Sequence, residues 1–118
     1  MNKEHFAEKL IEIFPEKYDV LHEHYHDYNE LLGHVFFSEA INIELFDLLL
    51  LNRNNETIKK YCDFIEEMWL MSDETVRNIV DVTILERLSD GNKVWVNFGN
   101  YISNEFKDYI TMIYLIRI

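Results

Sequence analysis

A chain of 118 residues with 48% hydrophobic side chains can form one domain with a single hydrophobic core, covering residues 1–118. Three glycines and one proline are too few for the turns of an all-β fold, so the composition favours an all-α fold. The formal net charge of −11 argues against nucleic acid and against an anionic membrane surface as ligands, because both are bound through basic residues.

The N-terminal sequence MNKEHFAEKL carries acidic residues and has no continuous apolar segment, so we predict no secretory signal. No run of about eighteen apolar residues follows that could span a bilayer. Cys62 is the single cysteine and lies among apolar positions, which is typical of a buried thiol in a reducing compartment. We therefore expect a cytoplasmic protein without disulfide bonds.

The first predicted helix covers residues 3–14, with its apolar and acidic residues on opposite sides. Glu4, Glu8 and Glu12 form an acidic ridge, which is slightly unfavourable for a helix unless a cationic group meets it. Pro15 ends this helix and can begin a second one, which reaches a connection at residues 29–33. The predicted apolar side of the second helix contains Tyr18, Leu21, Tyr25 and Tyr28.

A third helix is predicted from His34 to the polar break at residues 52–55. Its apolar residues fit a helical repeat of about 100° per residue. The predicted stripe contains Val35, Phe36, Ala40, Ile43, Leu45, Phe46, Leu49 and Leu50.

Residues 56–88 predict the hairpin around which the domain is organised. Its first helix has one apolar side, and its second helix is apolar in nearly every direction and is expected to be mostly buried. Ser72 or Asp73 can cap the second helix, which leaves few residues for the turn. We therefore predict a compact array of about five to seven helices, built from HEAT-like αα-hairpins.

The C-terminal part is predicted to contain a turn at residues 89–92, a short helix within 93–101 and a last helix capped by Ser103. The last helix uses Phe106, Ile110, Ile113 and Tyr114 for its apolar side. Ile116 and Ile118 either close the core or form an exposed edge for weak self-association.

Residues 22–26 match the pattern H-E-x-x-H, in which two histidines one helical turn apart bind zinc and the glutamate activates a water molecule. A zinc-dependent hydrolase that uses His22, Glu23 and His26 is therefore an alternative. A third ligand on a separate helix is missing from the sequence pattern, so histidines that face solvent are the simpler interpretation. Phosphate loops, nucleophilic triads and paired cysteines are absent too, and we predict neither an enzyme nor a bound cofactor or metal.

Acidic and aromatic residues on the helix surfaces predict a protein-binding surface instead. Acidic groups raise the association rate with basic partners, and aromatic side chains supply affinity. A nuclease is a natural partner, because its substrate groove must be positive and an acidic protein can occupy it. The predicted contact residues are Glu23, Tyr25, Asp27, Tyr28 and Glu30, together with Asp63, Glu66 and Glu67.

Four segments of the chain resemble a known family: residues 31–37, 63–68, 73–78 and 82–88. The family consists of small, all-helical bacterial domains without assigned enzymatic activity. It includes proteins similar to the immunity proteins of polymorphic toxin and contact-dependent growth inhibition systems. The resemblance implies an immunity protein, an antitoxin that neutralises a cognate toxin such as a ribonuclease by occluding its basic active-site groove. An interaction domain without a toxin partner is the second alternative.

Overall fold

The computed structural model describes residues 1–117, and the side chains of residues 1–113 within them. This part of the chain forms seven helices and contains no strand, which confirms the all-α prediction. The helices are α1 (Lys3–Ile13), α2 (Tyr18–Tyr28), α3 (residues 33–51), α4 (Asn55–Met71), α5 (residues 74–89), α6 (Asn92–Gly99) and α7 (Asn104–Arg117).

Helix α1 begins and ends where the sequence predicts. The Asn2 side chain accepts a hydrogen bond from the His5 amide at 2.9 Å, which satisfies one of the free N–H groups of the first turn. A single 3₁₀ turn at Pro15–Lys17 then leads into α2. The ridge of Glu4, Glu8 and Glu12 is exposed, as expected, while the opposite side of the helix enters the core.

The predicted apolar side of α2 is correct only at Leu21, which packs partly buried against the core. Tyr18, Tyr25 and Tyr28 are exposed, and His24 is the buried residue of this helix. Helix α2 lies at the edge of the molecule and packs on the first turns of α3 through the side that carries His24. Tyr25 follows His24 by one residue and is therefore turned about 100° away from that contact.

Helices α3 and α5 each contain a π-helical turn, which the sequence analysis did not predict. In α3 the segments are Gly33–Phe37, the π turn Ser38–Asn42 and Ile43–Leu51. In α5 they are Glu74–Ile79, the π turn Val80–Leu85 and Glu86–Ser89. The two π turns contact each other.

The π turn explains the errors in the predicted stripe of α3. A π turn adds one residue to the helix, so a single repeat cannot fit the sequence on both sides of it. Val35, Ile43 and Leu50 are exposed, whereas the omitted Phe37 and Ile41 are buried. Val82, in the π turn of α5, is also exposed, so α5 is less completely buried than expected.

The hairpin of α4 and α5 is confirmed. Only Ser72 and Asp73 separate the two helices, and the Asp73 side chain accepts a hydrogen bond from the Val76 amide at 2.9 Å. The turn also holds the N-terminus, because the Met1 amino group donates to the Met71 carbonyl at 3.0 Å. Cys62 is buried on the inner side of α4, and this burial raises the pKa of its thiol.

The C-terminal helices complete the core. Residues 92–99 form the short helix that was predicted, and the Ser103 hydroxyl caps α7 by accepting from the Phe106 amide at 3.2 Å. Phe106 stacks on Trp69 with ring centroids 4.8 Å apart, which joins α7 to α4. The predictions for Tyr114, Ile116 and Ile118 lie outside the described side chains. None of the helices in residues 1–117 combines the length and apolarity that crossing a bilayer requires.

Candidate functional site

The predicted contact residues of α2 do not share one face. Helix geometry places Glu23 and Asp27 about 40° apart, but Tyr25 about 200° from Glu23. Tyr25 and Tyr28 are 39% and 46% exposed, which leaves both rings accessible to a partner. The Tyr28 ring lies partly over the buried His24, with centroids 4.8 Å apart.

Tyr25 has acidic neighbours that the sequence analysis did not assign to it. Partial burial raises the pKa of the Tyr25 hydroxyl, and the charges of Glu4 and Glu8 on α1 raise it further. The charges of α1 therefore act on an exposed residue of α2. We call Glu4, Glu8 and Tyr25 the α1–α2 patch.

The carboxylates of the α1–α2 patch have no cationic partner. Within the described side chains, no lysine or arginine lies within 4.0 Å of Glu4 or Glu8. The same holds for Glu23 on α2 and for Glu30 in the connection that follows it. These groups leave a field of negative charge around an exposed aromatic ring, which favours the approach of a basic surface.

The second predicted set lies together, in a groove between α4 and the connection that precedes α7. Asp63, Glu66 and Glu67 line this groove, which we call the α4 groove, with a volume of about 450 Å³. Lys59 of α4 lines the same side, and residues 100–103 form the other side. The structure thus brings these predicted acids together, as the helical spacing implied.

The acids of the α4 groove already have partners within the molecule. Lys59 donates to Asp63 at 2.5 Å, and Lys9 of α1 forms an ion pair with Glu67. Glu66 accepts a hydrogen bond from the Ser103 amide at 2.9 Å. These contacts connect α4 to α1 and to the start of α7, so the groove has a structural role that the sequence did not reveal.

The two histidines of the H-E-x-x-H pattern lie on the surface of α2. His22 and His26 are exposed and one helical turn apart on α2. Over the described residues, no group of three histidine, cysteine, aspartate or glutamate side chains is arranged to hold a metal ion. These two histidines face solvent, as expected, whereas His24 between them is buried.

His24 holds the connection between α2 and α3. Its Nε2 accepts a hydrogen bond from the Leu32 amide at 2.9 Å, so in the neutral ring Nδ1 carries the proton. The Nδ1 atom is buried and has no hydrogen-bond partner in the described part of the chain. The sequence alone gives little indication of this role. Nothing in the sequence pattern distinguishes the buried His24 from the exposed histidines on either side of it.

A further surface feature lies where the two π turns meet. It is an open cleft of about 600 Å³ between α3 and α5. At one end, His34 Nδ1 lies 2.5 Å from the Thr83 hydroxyl. Asn42 lines the cleft, and its side-chain amide donates to the Thr83 carbonyl at 3.1 Å. Sequence analysis missed this cleft because it depends on the two π turns.

The fold and these surfaces define a small all-helical domain with several exposed acidic regions. The chain belongs to the family described as a domain of unknown function, DUF7674, whose model matches residues 7–115. No curated protein and no solved structure matches the chain. The family description assigns no activity. We therefore infer the function from the surfaces of the molecule.

Proposed function

We propose that this protein is a cytoplasmic immunity protein that binds and neutralises a cognate toxin, a nuclease with a basic active-site groove. Inhibition is by occlusion: the acidic domain occupies the groove that otherwise holds nucleic acid. The net charge of −11 supports this choice of partner, because opposite charge accelerates association with a basic domain. The resemblance of the four segments to immunity proteins supports the biological role.

The observation that carries the proposal is the exposure of Tyr25, a residue whose hydroxyl pKa is raised by partial burial and further by the charges of Glu4 and Glu8. A tyrosine ring supplies a large rigid contact, and tyrosine is enriched among the residues that contribute most to protein binding. The surrounding carboxylates are unpaired within the described side chains and can contact lysine or arginine directly. We therefore place the centre of the toxin interface on the α1–α2 patch.

Non-catalytic binding also agrees with the chemistry of the molecule. The single cysteine is buried, and burial raises the pKa of its thiol, which disfavours the reactive thiolate. The zinc hydrolase alternative relies on His22 and His26 alone. Its test is the metal content of the purified protein and of the His22→Ala variant; equal zinc content in both would reject it.

The first experiment is co-expression of this chain with the protein encoded directly upstream of it. We expect that the upstream protein is toxic, that cells survive only with this chain, and that the two proteins purify as one complex. Survival without this chain, or the absence of a complex, would contradict the proposal and favour an interaction domain without a toxin.

The second experiment maps the interface with the variant Tyr25→Ala. Tyr25 is exposed, so its removal should leave the fold intact while weakening the complex by about tenfold or more. The matched control is Tyr18→Ala, which removes another exposed tyrosine of the same helix. Equal affinity of the Tyr25→Ala variant and the unaltered protein would exclude the α1–α2 patch as the centre of the interface.

A further inference from the structure

Helix α2 is attached to the rest of the molecule mainly through an ionisable side chain. Among its eleven residues, His24 is the buried one, and it is 3% exposed. Its ring contacts two other rings, with centroids 4.8 Å from Tyr28 and 5.7 Å from Phe36 of α3. Val20 and Leu21 add only partly buried contacts to the core. The attachment of α2 therefore depends largely on one histidine.

The hydrogen bond made by His24 requires the neutral form of its ring. Nε2 accepts from the Leu32 amide at 2.9 Å, so this nitrogen must carry no proton. Protonation places N–H groups on both ring nitrogens, and two donors then face each other at Nε2. The imidazolium gains no compensating contact at Nδ1, which is buried and has no hydrogen-bond partner among the described residues. A protonated His24 is therefore incompatible with the closed connection between α2 and α3.

The surroundings of His24 supply no counter-charge for an imidazolium. Within residues 1–113, no carboxylate lies within 4.0 Å of either ring nitrogen. On α2 itself the ring contacts Tyr25 and Tyr28, whose hydroxyls are neutral in acid, while His22 and His26 are exposed and lie about 160° away around the helix axis. The titratable groups that the neighbouring elements contribute are at least partly exposed: Glu4 and Glu8 from α1, Glu16 and Lys17 from the 3₁₀ turn, and His34 from α3.

Buried residues on both sides of α2 limit how much of the chain can be released with it. Phe14, before α2, is 4% exposed and stacks on Tyr61 with ring centroids 4.2 Å apart. Leu31, after α2, is 3% exposed. Between these two anchors, every side chain except that of His24 is exposed or half-exposed. Residues 15–30 can therefore leave the surface while the hairpin of α4 and α5 keeps its contacts.

We propose that α2 is an acid-released element of this fold. Protonation of His24 breaks its hydrogen bond to Leu32 and frees residues 15–30 from α3, and loss of the proton restores the bond. In the open form, water accepts the hydrogen bonds of both ring N–H groups, so each proton taken up favours opening. Helix α2 is therefore held at neutral pH and released as the pH falls from about 8 to about 5, the range in which histidine changes its charge.

The release has a consequence for the proposed toxin interface. Tyr25 belongs to the released segment, so acid should also weaken a complex that is centred on this residue. That consequence rests on the proposed function, whereas the release of α2 does not. The release is therefore measured on the chain alone, and its result is independent of whether a toxin binds.

The experiment is amide hydrogen exchange of the ¹⁵N-labelled chain, followed by NMR at several pH values between about 7.5 and 5. Each rate is divided by the intrinsic rate of an unstructured amide at the same pH. We expect the amides of Leu32 and α2 to lose protection together by about tenfold or more, because one proton shifts an equilibrium by up to tenfold per pH unit. The amides of α4 should keep their protection. The ring nitrogen shifts of His24 should report its protonation over the same pH range.

The variant His24→Gln tests the cause, because its side-chain oxygen can accept from the Leu32 amide but does not take up a proton. The protection of Leu32 should then no longer depend on pH. The control His26→Gln removes an exposed histidine of the same helix and should keep the pH dependence.

If His24→Gln does not fold, the unaltered chain decides, since the ring nitrogen shifts of His24 must change in step with the protection of Leu32. The proposal is overturned if the protection of Leu32 is independent of pH, or if His24→Gln retains the dependence. It is also overturned if His24 protonates while Leu32 stays protected, or if α4 loses its protection together with α2.

Discussion

The α1–α2 patch and the α4 groove are both acidic, but their carboxylates are used differently. In the groove, Asp63 and Glu67 pair with lysines, and Glu66 holds the Ser103 amide. In the patch, Glu4 and Glu8 have no lysine or arginine within 4.0 Å among the described side chains. The number of acidic residues in a region therefore does not indicate how much unpaired negative charge is available to a partner.

The difference separates two roles for acidic residues on one small domain. Paired carboxylates link α4 to the neighbouring helices. Unpaired carboxylates generate the negative electrostatic field that attracts a basic partner from a distance. Variants that alter each region in turn distinguish these two roles.

Charge reversal in the α1–α2 patch is expected to have the largest effect, a lower rate of association with the toxin. The variant Glu4→Lys/Glu8→Lys should slow association by about tenfold or more at low ionic strength, because steering by the patch is lost. Stopped-flow fluorescence at several salt concentrations measures this rate. The control variant Glu105→Lys/Asp108→Lys changes the net charge by the same amount, but on α7, and should slow association less. If both variants slow association equally, only the net charge of the protein matters and the position of the acidic residues does not.

The next effect is on stability after the change Glu66→Ala. The Ser103 amide then loses its acceptor at the start of α7, which should lower the free energy of unfolding by about 1–2 kcal/mol. Urea denaturation measures the change. Asp63→Ala is the matched variant in the same groove, and its exposed ion pair with Lys59 should contribute less than about 0.5 kcal/mol. A larger loss for Asp63→Ala than for Glu66→Ala would contradict the structural role of Glu66.

A smaller effect is expected for Glu67→Gln. Its ion pair with Lys9 joins α4 to α1, but both side chains are about one third exposed, so solvent and salt screen the attraction. The free energy of unfolding should fall by about 0.5 kcal/mol at low salt, and the difference should disappear near 1 M NaCl. A loss that persists at high salt would indicate that packing, rather than charge, connects these residues.

The smallest effect concerns the ionisation of Tyr25. Partial burial raises the pKa of its hydroxyl, and Glu4 and Glu8 raise it further because their charges repel the phenolate. The variant Glu4→Gln/Glu8→Gln should therefore lower the Tyr25 pKa toward its ordinary value. Titration of the tyrosine ring carbon resonance by NMR measures this, with Tyr18 as the internal reference. An unchanged Tyr25 pKa would mean that the two helices do not form one patch.

Much of the fold was predictable because local signals were strong. The acidic ridge of α1, the cap at Asp73 and the cap at Ser103 each identify a helix boundary or face by ordinary rules. The hairpin of α4 and α5 followed from its helical repeat and from its short turn. The short helix at residues 92–99 followed from the lack of a second strand that could pair with it.

The candidate surfaces were less predictable because they depend on contacts between distant residues. The two π turns break the regular repeat, so Ile43 and Val82 were assigned to the core although they are exposed. Tyr25 and Glu8 belong to different helices, and only the folded structure shows that the charge of Glu8 acts on Tyr25. The pairing of Glu66 with Ser103 likewise joins residues that are far apart in sequence.

The π turns also determine where this chain can change in length. Loss of one residue from 38–42 or 80–85 would restore the ordinary helical repeat and rotate the rest of that helix by about 100°, which misplaces both the cleft and the core beyond it. Asn52 and Asn54, in contrast, adopt left-handed conformations in an exposed connection, with φ of 48° and 62°. Insertions and deletions should therefore be tolerated near residues 52–54 and disruptive inside the two central helices.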